Sequence, residues 1–235
     1  MSESPEVPTA GRDRPIRSFV RRAGRLTPGQ TRALETLLPA RALPATGPLD
    51  LDALFGRRAP RVLEIGFGNG EALLDWAMRH PEHDVLGLEV HPPGVGHALL
   101  AAEAEGLGNL RIGMLDAVEV LARLPAASLI RINVYFPDPW HKKRHHKRRL
   151  IRPAVVARMA EVLAAGGLLH LATDWADYAE HMHAVLAATP ALVNTSESGP
   201  YVPRPAERPQ TRFERRGLRR GHGVYDLIYA RRPQT

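Results

Sequence analysis

From residue 61 onward the chain alternates between two hydrophobic rhythms. Short, mostly apolar runs read as strands: RVLEI (61–65), DVLGLEV (84–90), NLRIGM (109–114), LIRINVYF (129–136) and LLHLATD (168–174). Between and after them, residues 71–80, 95–106, 117–124, 153–165 and 175–188 carry helical spacing, the fourth helix ending at Gly166-Gly167. Strict alternation of this kind predicts an α/β fold, a doubly wound, mostly parallel sheet with helices on both faces. Upstream, PGQTRALETLL (28–38) predicts a short amphipathic helix, opened by Thr27 as cap and Pro28 at the first helical position. PATGP (44–48) then breaks the chain. Downstream of 190 the sequence turns Pro- and Arg-rich, and HGVYDLIYARR (222–232) predicts a final strand. The expected organisation is a disordered polar tail over 1–15, an N-terminal helical arm over 16–58 and one domain over 59–235.

Composition narrows this picture. The 235 residues suit one sizeable α/β domain with an added arm. The absence of cysteine excludes disulfides and thiolate metal sites and fits a reducing cytoplasm. No apolar run approaches membrane-spanning length, and MSESPEVPTAGRDRP lacks the apolar core of a signal peptide, so a cytoplasmic protein is expected. Net charge is +7, unevenly spread. Residues 64–119 hold ten acids against Arg79 and Arg111, whereas 139–160 hold eight Lys and Arg and no acid. Residues 12–32 add seven Arg against one Asp, and 204–220 seven Arg against two Glu. Three basic tracts beside an acidic centre suit a polyanionic partner better than ordinary solvated surface.

The stretch LEIGFGNG (63–70) lies between the first strand and its helix, where the ligand crevice of such sheets forms. Gly66, Gly68 and Gly70 let a ligand approach the backbone. A P-loop needs Lys-Ser or Lys-Thr after its last glycine, and Glu71-Ala72 follow here. A dinucleotide brings a pyrophosphate that Glu64 and Glu71 would repel. S-adenosylmethionine carries a sulfonium and an ammonium against one carboxylate, and an acidic cleft suits it. Glu64 is then placed to take the ammonium, Glu89 at the second strand end the ribose hydroxyls, and Asp116 after the third strand the adenine amino group.

After the fourth strand comes FPDPWHKKRHHKRR (136–149), in which Pro137 and Pro139 stiffen the chain around Asp138. With LEIGFGNG, GLEVH (87–91), ATDWADYAEHM (172–182), IRSFVRRAGRLTPGQ (16–30) and TRFE (211–214), this loop closely resembles the tRNA (guanine-N7)-methyltransferase family. The resemblance spans about residues 16 to 230. It implies a Rossmann-like S-adenosylmethionine-dependent methyltransferase fold and methyl transfer to N7 of a guanosine in the tRNA variable loop, position 46. It gives cofactor binding to Glu64, Glu89 and Asp116, and a cofactor and catalytic role to Asp138. Substrate binding falls to Lys142, Asp174, Thr211, Arg212, Phe213 and Glu214. RNA contact falls to Arg144, His145, His146, Lys147, Arg148 and Arg149. A monomer or weak homodimer is expected.

The chemistry agrees. Guanine N7 offers a lone pair with no proton to lose, so no strong general base is required, only alignment and exclusion of water. A carboxylate that accepts from guanine N1–H and N2–H₂ would hold the base; Asp138, Glu214 and Asp174 are all candidates. Asp174 reads equally as the N-cap of the 175–188 helix, and Trp140 and Phe213 as base-stacking or core residues. His141, His145 and His146 read as phosphate contacts. His181 and His183, two apart on a helix, cannot share one face, and no metal site is expected. Two rivals remain. One is an amine methyltransferase using a D-P-P-Y-type loop, disfavoured by Trp140 in place of the second proline. The other is a non-catalytic RNA-binding protein, disfavoured by an intact glycine loop.

Overall fold

The computed structural model describes residues 18–19, 24–211, 214–215 and 223–233. Its strands are β1 Arg61–Ile65, β2 Asp84–Leu88, β3 Leu110–Gly113, β4 Leu129–Tyr135, β5 Leu163–Thr173, β6 Leu192–Asn194 and β7 Tyr225–Arg231. They form one sheet in the order β3-β2-β1-β4-β5-β7-β6. Strands β1 to β5 are parallel, and β7 inserts antiparallel between β5 and β6. The order reverses between β1 and β4, so the ligand crevice opens at their carboxyl ends. The helices are α1 Pro28–Thr36, α2 Leu38–Arg41, α3 Leu51–Phe55, α4 Glu71–Arg79, α5 Pro92–Ala104, α6 Ala117–Arg123, α7 Pro153–Val162 and α8 Ala176–Ala187. Among the described residues no helix is long and apolar enough to cross a membrane.

The period-two strand pattern sorts the core. Leu63, Ile65, Ile132 and Leu169 pack with α6, α7 and α8 on one face. Val62, Val85 and Leu110 pack with α4 and α5 on the other, joined by Ala33 of α1. Helix α1 opens on the predicted Thr27 cap, which forms a full capping box with Gln30. Gln30 also donates from Nε2 to Pro93 O at 3.0 Å, which fastens the arm to α5.

The expected strands and helices are all present, with one correction. Helix α7 stops at Val162, and β5 starts at Leu163 instead of at residue 168. Leu129 pairs with Leu163 but Arg131 with Leu168, so the intervening residues bulge from the ladder. Gly166 takes φ of +76°, so the Gly-Gly pair serves this bulge and not a helix end. The short α3 and β6 were not expected, since neither is long enough to show a period.

On the face opposite Leu63 and Ile132 the middle of the sheet is polar. Glu64, Asn133 and His170 sit side by side across β1, β4 and β5, with Arg131, Tyr135 and Asp226 around them, all buried. Arg131 donates to Asn133 Oδ1 at 2.9 Å and to His170 Nδ1 at 3.0 Å. An arginine only donates, so Nδ1 holds the lone pair and Nε2–H donates to Asp226 Oδ1 at 2.7 Å. Burial, reinforced by the two guanidinium groups, pulls His170 below the usual imidazole range. Arg208 closes this face from the C-terminal segment. It donates to Asp226 at 2.7 and 2.9 Å and to Glu214 at 2.6 and 2.9 Å. Burying three charges is costly, and four charge-assisted hydrogen bonds offset it. Arg208→Ala would strand two buried carboxylates and is expected to lower stability by about 3–5 kcal/mol in urea unfolding. A loss under about 1 kcal/mol would show that water replaces the guanidinium freely.

Candidate active site at the carboxyl ends of the central strands

Two cavities open where β1 and β4 diverge. The first, about 380 Å³, is lined by Gly66, Glu89, Leu115, Ala117 and Asp138, with Ser18 and Phe19 of the arm at its wall. The second, about 440 Å³, is lined by Glu64, Gly68, Asn69, Glu71 and Thr211. Gly66, Tyr135 and Phe136 line both, so the two meet there.

The glycine loop has the conformation its sequence requires. Gly66, Gly68 and Gly70 have φ of +75°, +58° and +86°, a region that side chains disfavour. Helix α5 comes so close that a Cβ on Gly94 would lie 2.2 Å from Gly68 O. Glu89 braces the loop. Its Oε2 accepts from Gly68 N at 2.8 Å, and its Oε1 accepts from Val90 N at 2.7 Å and His91 N at 2.9 Å. Glu89 is thus a loop organiser as well as a wall of the first cavity.

Glu64 is 4% exposed, and among the described residues no hydrogen bond or ion pair engages its carboxyl. Burial, and secondarily the charge of Glu89, pushes it up to about 8 from 4.5. A buried acid with no cation, facing a cavity, fits a ligand that brings an ammonium and opposes one that brings a pyrophosphate. Asp116 lines neither cavity. Its Oδ1 caps α6 by accepting from Val118 N at 2.9 Å, while its neighbours Leu115 and Ala117 line the first.

The β4 exit is strained at both ends: Phe136 has φ of +52° and Trp140 of +50°. Asp138 lies between them, exposed and on the first cavity. The cationic run forms a 3-10 helix, Lys143–Arg148, which has no hydrophobic period by which it could be foreseen. Lys142, Lys143, Arg144 and Lys147 are exposed. Arg148 stacks over the Trp140 ring at 4.2 Å, and His145 meets that ring edge-on at 6.0 Å. Burial and the surrounding cations lower the His145 pKa. His146 Nε2 is buried with no hydrogen-bond partner.

Four expectations change. Arg149 is 2% exposed and bonded to Pro139 and Asp177, so it does not face an RNA. Glu214 is 3% exposed and committed to Arg208, which removes it as a holder of guanine. Asp174 is not the helix cap; Trp175 holds that position without a side-chain bond. Trp140 has Arg148 stacked over its ring and Nε1 donating to Ser18 O at 3.3 Å, so it is not an open stacking surface. Arg212 and Phe213 lie outside the described residues.

His181 and His183 bond separately, to Ile151 O and Tyr229 Oη. His80, Glu82 and His83 bring three ligand atoms within 4.8 Å at the opposite end of the sheet. Trp76 Nε1 donates to His83 Nδ1 at 3.3 Å, however, which puts the neutral ring's proton on Nε2, the nitrogen facing Glu82.

The strand order with its antiparallel β7, and the glycine loop beside buried Glu64 and half-buried Glu89, define a class: a Rossmann-like methyltransferase. The chain matches the family described as "Putative methyltransferase" over residues 58–227. A tRNA (guanine-N(7)-)-methyltransferase of Alkalilimnicola ehrlichii is 63% identical over 93% of this chain and 94% of its own. That of Halorhodospira halophila is 59% identical over 94% and 97%. The chain belongs to the tRNA (guanine-N(7)-)-methyltransferase family. Among solved structures, the 16S rRNA methyltransferase KamB shares the fold with a TM-score of 0.56 and 19% identity, over 80% of this chain and 96% of its own. A 16S rRNA (adenine(1408)-N(1))-methyltransferase from Catenulisporales acidiphilia gives 0.54 and 16%, over 83% and 95%.

The Glu64 carboxyl yields a signed prediction. Between pH 4.5 and about 8 the folded chain keeps a proton that the unfolded chain releases. This contribution to stability therefore falls as pH rises through that window, by up to about 1.4 kcal/mol per unit. Glu64→Gln should remove that slope and make the cofactor-free protein more stable than wild type near pH 8. Parallel unfolding curves for both proteins at pH 6 and pH 8 would refute the assignment.

Proposed function

We propose that this protein transfers a methyl group from S-adenosylmethionine to N7 of a guanosine in the variable loop of tRNA, at position 46, in the cytoplasm. The observation that carries this reading is the pair of joined, acid-walled cavities next to an exposed cationic 3-10 helix. The names of relatives up to 63% identical supply the substrate.

S-adenosylmethionine supplies a methyl group on a positively charged sulfur. Glu64, on the second cavity, would hold its ammonium and would release its own proton to solvent on ionising. Glu89 lines the first cavity and would hold the ribose; Leu115 and Ala117, with the Asp116 cap beside them, would hold the adenine. Phe136, common to both cavities, would border the point where the target base is brought to the methyl group. N7 would bond to the methyl carbon with its own lone pair as the carbon–sulfur bond breaks and its electron pair stays on sulfur, giving S-adenosylhomocysteine, so the protein need remove no proton from that atom. Methylation leaves the base positively charged, and Asp138, accepting from N1–H and N2–H₂, stabilises that charge. With Glu214 committed to Arg208, Asp138 and Asp174 remain, and Asp138 is assigned this task because it lines the first cavity. Thr211 approaches the base from the second cavity. Trp175, 39% exposed and edge-packed against His141 at 4.3 Å, offers the open aromatic surface near the rim.

The test is transfer of labelled methyl groups into unmodified tRNA, with nucleoside analysis for 7-methylguanosine; label appearing only on another base would end this reading. Asp138→Ala should leave tRNA binding nearly intact and lower turnover about 10²-fold. Loss of thermal stability with normal turnover per folded molecule would mark Asp138 as a turn residue only. The cations expected to meet phosphate are the exposed ones. Replacing Lys143, Arg144 and Lys147 with Ala should flatten the salt dependence of tRNA binding by roughly two to three contacts' worth, at about 0.7–0.9 each. An unchanged slope would move the RNA footprint elsewhere.

A further inference from the structure

Within the run Lys142 to Arg149 one guanidinium is turned inward. Arg149 is 2% exposed. Its Nε donates to Pro139 O at 2.9 Å, and its Nη2 bonds to Asp177 of α8. Its guanidinium carbon lies 4.7 Å from the Tyr178 ring centre, and Tyr178 Oη accepts from Ile151 N at 3.3 Å. The hydrogen-bonded guanidinium beside it holds the Asp177 carboxyl below the usual carboxylate range.

These contacts have a direction. Pro139 directly follows Asp138, and its carbonyl, in the strained turn between Phe136 and Trp140, is the one that accepts from the Arg149 side chain. Arg149 ends the 3-10 segment, and its own N–H donates to His146 O at 2.9 Å. Its side chain therefore joins the two ends of the loop that carries the exposed cations, and ties the closed loop to α8. A lysine there would keep the charge but lacks the fork that serves a carbonyl and a carboxylate together.

We propose that Arg149 is a positioning residue, a latch that sets Asp138 through the Pro139 carbonyl, and not a phosphate contact. The proposal rests on the reading of Asp138 given above. It also makes the cationic platform and the catalytic turn one rigid piece, so that RNA seated on Lys143, Arg144 and Lys147 is referred directly to Asp138.

The test compares Arg149→Lys, Arg149→Ala, Asp177→Asn and Asp177→Glu in the full chain. Arg149→Lys should lower kcat at least about tenfold, with the KM for tRNA and the salt slope of tRNA binding near wild type. Asp177→Asn should show part of the same loss, and Asp177→Glu should retain most of the turnover. Amide hydrogen exchange at Asp138, Trp140 and His141 should accelerate in Arg149→Lys; this readout needs no activity. It thus tests the latch even if the wild-type protein methylates no tRNA, an outcome that would overturn the functional reading alone. A salt slope flattened by about 0.7–0.9 with kcat preserved would make Arg149 a phosphate contact and overturn the proposal. A lower Tm with unchanged kcat per folded molecule and unchanged exchange at 138–141 would overturn it in favour of packing alone. If Arg149→Ala fails to fold, Arg149→Lys and Asp177→Asn still decide.

Discussion

The ion cluster of Arg208 with Asp226 and Glu214 governs how the rest of the molecule is arranged. One sheet face is polar across four adjacent strands, and a polar face cannot be covered by an ordinary amphipathic helix. It is covered instead by the C-terminal segment, which Arg208 anchors at a single buried point. That anchor holds Thr211 against the second cavity and commits Glu214 to a structural role. It also sets the proton positions below the site, since Asp226 accepts from both Arg208 and His170, and His170 in turn accepts from Tyr135 Oη at 3.1 Å.

The same face explains why Glu64 is neutral. Every other buried charge near it is already matched: Arg208 by two acids, and Arg131 by Asn133, His170 and Glu207. Among the described residues Glu64 is left without a cation, and it lines a cavity. Its proton stands in for the missing positive charge until a ligand supplies one. The acid-rich wall is then electrically mild when empty and strongly selective for a cation when occupied.

How much of this was legible in the sequence divides along physical lines. The β1 bounds, the three positive-φ glycines and the Thr27 capping box are local: each follows from residues within a few positions. Glu64 and Glu89 could be placed on the crevice because a parallel sheet delivers strand ends to one place, whereas Asp116, placed there by the same argument, caps α6 and lines neither cavity. Arg148 and Arg149 are adjacent and identical, yet one stacks on Trp140 and the other is buried, because Asp177 arrives from a helix 28 residues on. Glu214 reads as a substrate residue until Arg208 is found beside it, and Trp140 as a stacking surface until Arg148 covers it. A hint was available in RINVY, where Arg131, Asn133 and Tyr135 alternate with apolar residues and mark one polar face.

The insertion of β7 between β5 and β6 has a consequence for synthesis. A chain that has left the ribosome only to residue 220 has the five parallel strands β1 to β5, but the outer edge of β5 is bare. His170 and Arg208 at that stage both lack Asp226. The polar seam is then a liability, since a row of unpaired backbone groups beside unmatched buried charge invites pairing with another nascent chain. Strand β7 caps the edge and supplies Asp226 to the seam in one step. Its arrival, more than formation of any early helix, is therefore the event that commits this sheet to its native state.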